Sequence, residues 1–220
     1  MSEIVRQSLM DLLEPAEVAL VQAFAIRRSY RDREVIHERG DETQSVGIVA
    51  KGQVRLLHLA RGGQELLLSV LLPGDNYGDI LALAGGSRSH RAVASGDTAV
   101  DHIPADAFRQ LLIHPAIVRA FYTIASSRLE VAISRFDDMR TLPSEVRLAK
   151  LLLELRRASP DERVACLQED LASLTGVSTV TLAKSLTLLK REGLVETGYR
   201  HLIVQDVAGL ADWVAKREAD

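Results

Sequence analysis

The stretch from Gln168 to Leu189, QEDLASLTGVSTVTLAKSLTLL, leaves few folds open. Leu182, Leu186 and Leu189 recur at i, i+4 and i+7, which puts them on one buried face of a helix. Ser178 stands where that helix needs an N-cap. Gly176 stands where a preceding helix must turn at positive φ, a conformation that costs glycine no Cβ clash. Ala172 is small enough for the second helix to cross closely above it. The spacing, with Val177 beside the turn, predicts a helix-turn-helix. The face away from the leucines carries Thr179, Val180, Thr181, Lys184 and Ser185, a set of side chains suited to a DNA major groove. An ordinary αα-hairpin shares the apolar spacing, so the rest of the chain has to decide between them.

Charge does not decide it. The chain of 220 residues has a net charge of −3. Divided at Pro143, it carries 16 basic and 18 acidic residues before that point and 11 and 12 from there on. Neither part is basic, but Leu171–Arg191 holds Lys184, Lys190 and Arg191 with no acid, and local potential is what a DNA footprint needs. Aromatic residues are 4% of the chain, which argues against stacking on single strands. No apolar run approaches the ~20 residues of a membrane span, and the N-terminus has no secretory core, so the cytoplasm is expected. Cys166 is the one cysteine, which excludes an iron–sulfur cluster held by four cysteines. It reads either as a redox switch or as a small buried hydrophobe.

Along the chain, residues 3–26 read as one or two short helices, with Pro15 in a first turn. From Ile26 to Ile103 the pattern becomes short strands, at Val46–Val49, Val54–Leu59 and Glu65–Leu72. Gly40-Asp41, Lys51-Gly52, Arg61-Gly62-Gly63 and Pro73-Gly74-Asp75 separate them as turns. Ten of the fourteen glycines lie in residues 40–96, as tight antiparallel turns require. A β-barrel or sandwich follows. Pro104–His114 reads as a short helix, and Pro115 opens a long one that lasts to Leu142.

In that long helix Val118, Tyr122, Ala125, Leu129, Ala132, Phe136 and Met139 are spaced alternately by four and three, an a/d heptad seam. A second stripe, Ile117, Phe121, Ile124 and Val131, lies beside it. One face is expected to cover the β domain and the other to meet a second copy of the chain. Leu142-Pro143-Ser144 breaks the helix, and Ser144 starts the next. Ala158–Glu162 reads as a loop, Val164–Leu167 as a short strand, and Gly193–Val204 as a hairpin. A helix-turn-helix followed by a hairpin is a winged helix.

These blocks, taken in order from Arg31 to Val204, resemble the CRP/FNR superfamily of bacterial transcription regulators. The segment VGIVAKGQVRLLHLARGGQELLLSVLLPGDNYGD, residues 46–79, is similar to the family's cyclic-nucleotide-binding jelly roll. Arg147-Leu148-Ala149 is similar to the start of its DNA-binding domain. The resemblance implies an α+β protein in three parts: a jelly-roll sensor domain over residues 1–114, a dimerisation helix over 115–142, and a winged helix-turn-helix over 143–220. It implies a homodimer on double-stranded DNA, with RNA polymerase as a further partner and no enzyme activity. No nucleotide-binding loop, nucleophile elbow or metal-ligand spacing argues otherwise. The competing reading is a ligand-binding regulatory module that acts on protein partners.

The family's phosphate cassette is matched by Gly78-Asp79 and Arg88-Ser89-His90. Arg88 is suited to neutralise a phosphate, with Ser89 and backbone N–H groups completing an anion site. Asp79 is one methylene shorter than the family's Glu, and His90 stands where a small residue is usual. Where the family's cyclic AMP responders offer hydroxyls from the dimer helix to the purine, this chain has Ala132 and Ile133. A missing hydrogen bond to a buried polar edge costs roughly 1–3 kcal/mol, so cyclic AMP bound in the usual mode is not expected. Cyclic nucleotide and haem stay open as ligands, since His37, His58, His90, His102, His114 and His201 are available for an axial position.

Many members read G and C edges with an Arg-Glu pair and a later Arg. The matching positions here are Thr179, Val180 and Lys184. An operator made of inverted repeats is expected, but not the family's usual TGTGA-like half-site. Ser178, Thr181 and Arg200 are the phosphate-contact candidates.

Overall fold

The computed structural model describes residues 7–42, 44–59, 65–157, 163–165, 167–198 and 201–218. The expected turn at Arg61-Gly62-Gly63, the loop at Ala158–Glu162, Cys166 and Arg200 lie outside them. The chain divides into two compact units, one over Gln7–Leu129 and one from Glu130 onward.

The N-terminal unit begins with a 3-10 turn, Met10–Leu12, and helix α1, Pro15–Ala23. Pro15 takes the first position of α1, and Glu14 and Glu17 cap each other's backbone N–H groups. Six strands follow: β1 (Ile26–Tyr30), β2 (Val35–His37), β3 (Ser45–Leu59), β4 (Glu65–Leu71), β5 (Asn76–Tyr77) and β6 (Arg91–Pro104). They form one antiparallel sheet in the order β1-β6-β3-β4, with β2 on β6 and β5 on β3. Helix α2, Asp79–Ala84, and helix α3, Ala105–Leu111, flank β6 in sequence.

One expected turn is not a turn. Lys51-Gly52 lies inside β3, which runs unbroken from Ser45 to Leu59. Lys51 pairs with Ala99 and Gln53 with Ser95, so β6 carries two extra residues, Gly96 and Asp97, across that step. Both strands bulge there, and the ribbon bends without reversing. Gly52 has φ +73°, and a Cβ on it would meet Asp97 O and Thr98 Oγ1 at 2.6 Å. The glycine marks a close approach of two backbones.

Alternation along β3 feeds two cores. Val46 and Ile48 pack with Leu9, Val21, Ile103, Phe108, Leu111, Ile117, Phe121 and Ile124. Val49, Val54 and Leu56 pack with Leu71, Tyr77, Ala92 and Val100. Phe108 and Phe121 meet edge to face, with ring centres 4.8 Å apart. Two imidazoles are built into this unit as neutral groups. His37 is buried and stacks on Tyr77, with ring centres 5.6 Å apart. His102 Nε2 shares a 2.8 Å hydrogen bond with Tyr30 Oη.

The long helix α4, Pro115–Thr141, passes through the boundary between the units. Ile117, Phe121 and Ile124 are buried, while all seven a/d positions, Val118 through Met139, are exposed. Beyond it lie α5 (Ser144–Arg157), β7 (Arg163–Ala165), α6 (Gln168–Thr175), α7 (Thr179–Arg191), β8 (Val195–Gly198), β9 (His201–Val204) and α8 (Val207–Glu218). The strands form a small antiparallel sheet, β7-β9-β8. The expected strand at Val164–Leu167 is β7, ending at Ala165. Leu148, Leu152, Leu171, Leu182, Leu186, Leu189, Leu202, Leu210 and Trp213 form one core. Helix α8 was not foreseen, although Asp206 accepts a bond from Gly209 N–H and Leu210, Trp213 and Val214 fall on one face. Among the described residues no helix is long and apolar enough to cross a membrane.

Phe108→Ala removes the ring that joins sheet, α3 and α4, and is expected to cost the N-terminal unit about 3–5 kcal/mol in denaturant unfolding. Acid should also weaken this unit. Burial, reinforced by Arg88, pushes His37 down to about 3, and burial with Arg28 pushes His102 down to about 4. An unfolded imidazole takes up its proton near pH 6.5, whereas the folded ones resist it. Their stabilisation is therefore complete above about pH 6.5 and is lost as the pH falls towards 4. Unfolding measured across that window should show a steeper loss for the native chain than for His37→Gln, by up to about 1 kcal/mol per pH unit.

Candidate DNA interface and effector pocket

The helix-turn-helix is built as its spacing predicts. Helix α6 ends at Gly176, with φ 68° and ψ 35°. Gly176 N–H bonds to Ser173 O and Val177 N–H to Ala172 O, which is the Schellman closure of a helix end. Ser178 caps α7, its Oγ accepting from Thr181 N–H at 3.1 Å. The same Oγ lies 3.0 Å from Thr181 Oγ1, so the two hydroxyls engage each other.

On α7, Val180 is 65% exposed, and Thr179, Lys184 and Thr187 are exposed too. Thr181 is half-buried. Ser185 does not belong to the outward face. It is 4% exposed, and its Oγ lies 3.2 Å from Ser144 Oγ on α5. With Leu182, Leu186 and Leu189 it completes the inward face. Sequence reading placed it outside because serine is usually a surface residue. A helical wheel drawn from the three leucines puts Val180, Lys184, Thr187 and Arg191 opposite them instead, so Thr187 and Arg191 are the outward residues that were missed.

Contacts within the C-terminal unit hold the end of α4 against this module. Lys150 Nζ lies 2.8 Å from Asp138 Oδ1 on α4 and 2.7 Å from Glu218 Oε1 on α8. Arg135 pairs with Glu154 at 2.8 Å. Met139 Cε stands 3.0 Å from the place a Cβ on Gly176 would occupy. A residue of the heptad seam thus lies against the turn of the helix-turn-helix. Arg147 closes the break between α4 and α5, bonding Leu142 O at 2.9 Å and Thr175 O at 3.3 Å.

In the N-terminal unit the cassette residues come together, but not as an open cleft. Gly78 is left-handed at φ 79° and caps α2, where Asp79 is the first residue. Arg88 is buried, and its Nη2 donates to Ser45 O at 2.7 Å and approaches Ser45 Oγ at 3.2 Å. A Cβ on Gly78 would lie 2.7 Å from the backbone oxygen of Ser45 and would collide with Arg88 Nη1, so glycine is required there for space as well as for φ. Ser89 is exposed, its Oγ 2.8 Å from His90 Nδ1, and His90 is half-buried. Ser45 and Tyr77, which line this cluster, have no signal in the sequence, and His37, a candidate there only for an axial position on haem, joins them. They lie between 11 and 51 positions before Arg88, and no local spacing joins them to it. Ala132 and Ile133 are exposed on α4, in the C-terminal unit. Among the described residues no group of three or more His, Cys, Asp or Glu is gathered as a metal site.

Comparison with known proteins agrees with both halves. Residues 27–114 match the family model of the cyclic nucleotide-binding domain, and residues 146–213 match that of the Crp-like helix-turn-helix domain. The cyclic AMP receptor protein of Thermus thermophilus is 31% identical over 201 residues, covering 91% of this chain and 93% of that protein. The crystal structure of the Thermus thermophilus catabolite activator protein is likewise 31% identical, with 94% and 98% of the two chains covered and a TM-score of 0.56. FixK2 from Bradyrhizobium japonicum, at 23% identity and a TM-score of 0.75 over 86% and 96% of the chains, shares the fold. A module acting solely on protein partners is not favoured by a chain whose second half matches a DNA-binding domain, and the relatives are regulators, not enzymes. With a relative this similar over nine-tenths of its length, the chain belongs to the CRP/FNR family of DNA-binding transcription regulators.

Proposed function

We propose that the protein works as a homodimer that sets two copies of α7 into successive major grooves of an inverted-repeat operator, under control of a signal received in the N-terminal unit. The observation that carries this reading is the division of α4. Its Ile117–Phe121–Ile124 stripe is consumed by the core, and its seven-residue heptad stripe is left exposed, with Tyr122, Leu129, Phe136 and Met139 each more than half accessible. An apolar seam of that length on an isolated chain calls for a partner helix. A second copy supplies one with the same spacing.

On DNA, Val180 supplies apolar contact, suited to a thymine methyl, and Lys184 a point charge for guanine or phosphate. Ser178 and Thr179, at the start of α7, and Thr181 next to them are phosphate-contact candidates, as is Arg200, which follows β8 in the sequence. Because no bidentate arginine stands at the reading positions, the half-site differs from TGTGA. Contact with RNA polymerase and a place in the cytoplasm complete the reading.

In the N-terminal unit Arg88, with Gly78, Asp79, Ser89 and His90, is the anion-binding part of the effector site. Ala132 and Ile133 offer no hydrogen bond to a base, which disfavours cyclic AMP in its usual mode. A ligand acts here by differing in affinity for two arrangements of the seam helices. The segment Leu142–Ser144 passes that difference to the DNA-binding module.

Selection of binding sequences with the purified protein should yield inverted repeats that lack TGTGA, and recovery of TGTGA repeats would refute the reading of α7. Lys184→Glu should abolish specific binding in a gel-shift titration while the protein remains folded. Tyr122→Glu combined with Leu129→Glu, each on the exposed seam, should give a monomer by sedimentation and lower operator affinity at least tenfold.

A further inference from the structure

Arg88 is a buried cation with no salt-bridged carboxylate among the described residues. Its guanidinium carbon lies 6.0 Å from the centre of the Tyr77 ring. Tyr77 stacks on His37, and the His37 and His90 rings are 6.4 Å apart. Three buried polar atoms of this cluster, Arg88 Nε, His37 Nε2 and Tyr77 Oη, have no hydrogen-bond partner among the described residues. His37, Arg88 and Tyr77 are each more than nine-tenths buried. An uncompensated cation and unfilled donors in a low-dielectric interior are costly, and an anion relieves both.

The charged surroundings set how much negative charge fits. His37 is faced by Arg88, His90 and His102, with Asp41 as the acid among them. His90 is faced by Arg88 and His58. Arg88 is faced by Tyr77 and Asp41. Arg88 alone matches a monoanion such as a cyclic phosphodiester. A dianion needs one more positive charge, and the two imidazoles are the groups that can acquire it.

We propose that this cluster binds a dianion, a phosphomonoester or sulfate group, and that His37 or His90 takes up a proton as it binds. The proposal rests on the reading of Arg88 as the effector's anion site. Burial, with Arg88 beside it, holds His37 down at about 3, and burial and Arg88 also lower His90. Both imidazoles are then neutral near pH 7, and the field of a bound dianion raises them again. Proton uptake accompanies binding wherever the pH lies between an imidazole's values without and with the dianion, so affinity rises as the pH falls.

The test is calorimetric titration of the full-length protein with sulfate, which carries no exchangeable proton between about pH 5.5 and 8, in two buffers of different ionisation heat. Uptake should climb towards one proton per chain on acidification, with affinity tightening by up to about tenfold per pH unit. Adenosine 5′-monophosphate should show the same uptake above about pH 7, where its phosphate is already the dianion, and cyclic AMP should bind without proton uptake. The double variant His37→Gln/His90→Gln should lose the proton uptake and the pH dependence. Should the double variant fail to fold, the single variants His37→Gln and His90→Gln are measured separately, and at least one of them should lower the uptake. Sulfate binding with no proton uptake, or uptake that survives both histidine substitutions, overturns the proposal. Arg88→Gln separates the two levels: loss of all three ligands supports the anion site, whereas unchanged sulfate binding, or no binding by any probe to the native chain, overturns the anion-site reading and the proposal with it.

Discussion

Helix α4 buries one of its two apolar stripes and leaves the other exposed, and the proposed assembly depends on that division. The stripe at Ile117, Phe121 and Ile124 is spent on the core beneath the sheet, where Phe108 meets Phe121 edge to face. The heptad stripe a third of a turn away is left in solvent. Burying apolar surface of this kind is worth about 25 cal/mol per Å², which is the driving force for the pairing proposed above. The same helix then ends against the DNA-binding module through Asp138–Lys150, Arg135–Glu154 and the contact of Met139 with the Gly176 turn. In the proposed dimer, the way two such helices pack would set the orientation of α7.

The two ends of the chain solve different electrostatic problems. On α7 the outward face is mild: Val180 and Thr187 flank Lys184, and no acid opposes the phosphates. In the N-terminal unit a cation has been taken into the interior and held there by a backbone carbonyl, Ser45 O, rather than by a carboxylate. Nearby imidazoles are kept neutral by burial and by that cation. A neutral backbone acceptor leaves the positive charge of Arg88 available, which a carboxylate partner would have cancelled.

Much of this was legible in the sequence because it depends on short-range spacing. Pro15, Pro115 and Pro143 mark helix boundaries through their missing N–H, and Gly176 with Ser178 fixes the turn through φ and capping. The two stripes of α4 follow from period alone. What escaped depends on partners far away in sequence. Gly52 reads as a turn until β6 is seen to bulge opposite it. Ser185 reads as a surface serine until Ser144, 41 residues earlier, is found across from it. Helix α8 follows a strand with no proline or glycine to announce it, and its cap depends on Asp206 meeting Gly209 N–H. The surroundings of Arg88 come from β2, β3 and β5, and no pattern local to Arg88 names Ser45, His37 or Tyr77.

In the proposed dimer two α7 helices, held by one α4 seam, meet grooves on the same side of the duplex. This placement is tested most directly by measuring affinity for a selected operator after inserting about five base pairs, half a helical turn, between the half-sites, and after inserting about ten. The half-turn insertion should reduce binding to the non-specific level, and the full-turn insertion should restore part of it. Affinity that is indifferent to the half-turn insertion would contradict the account.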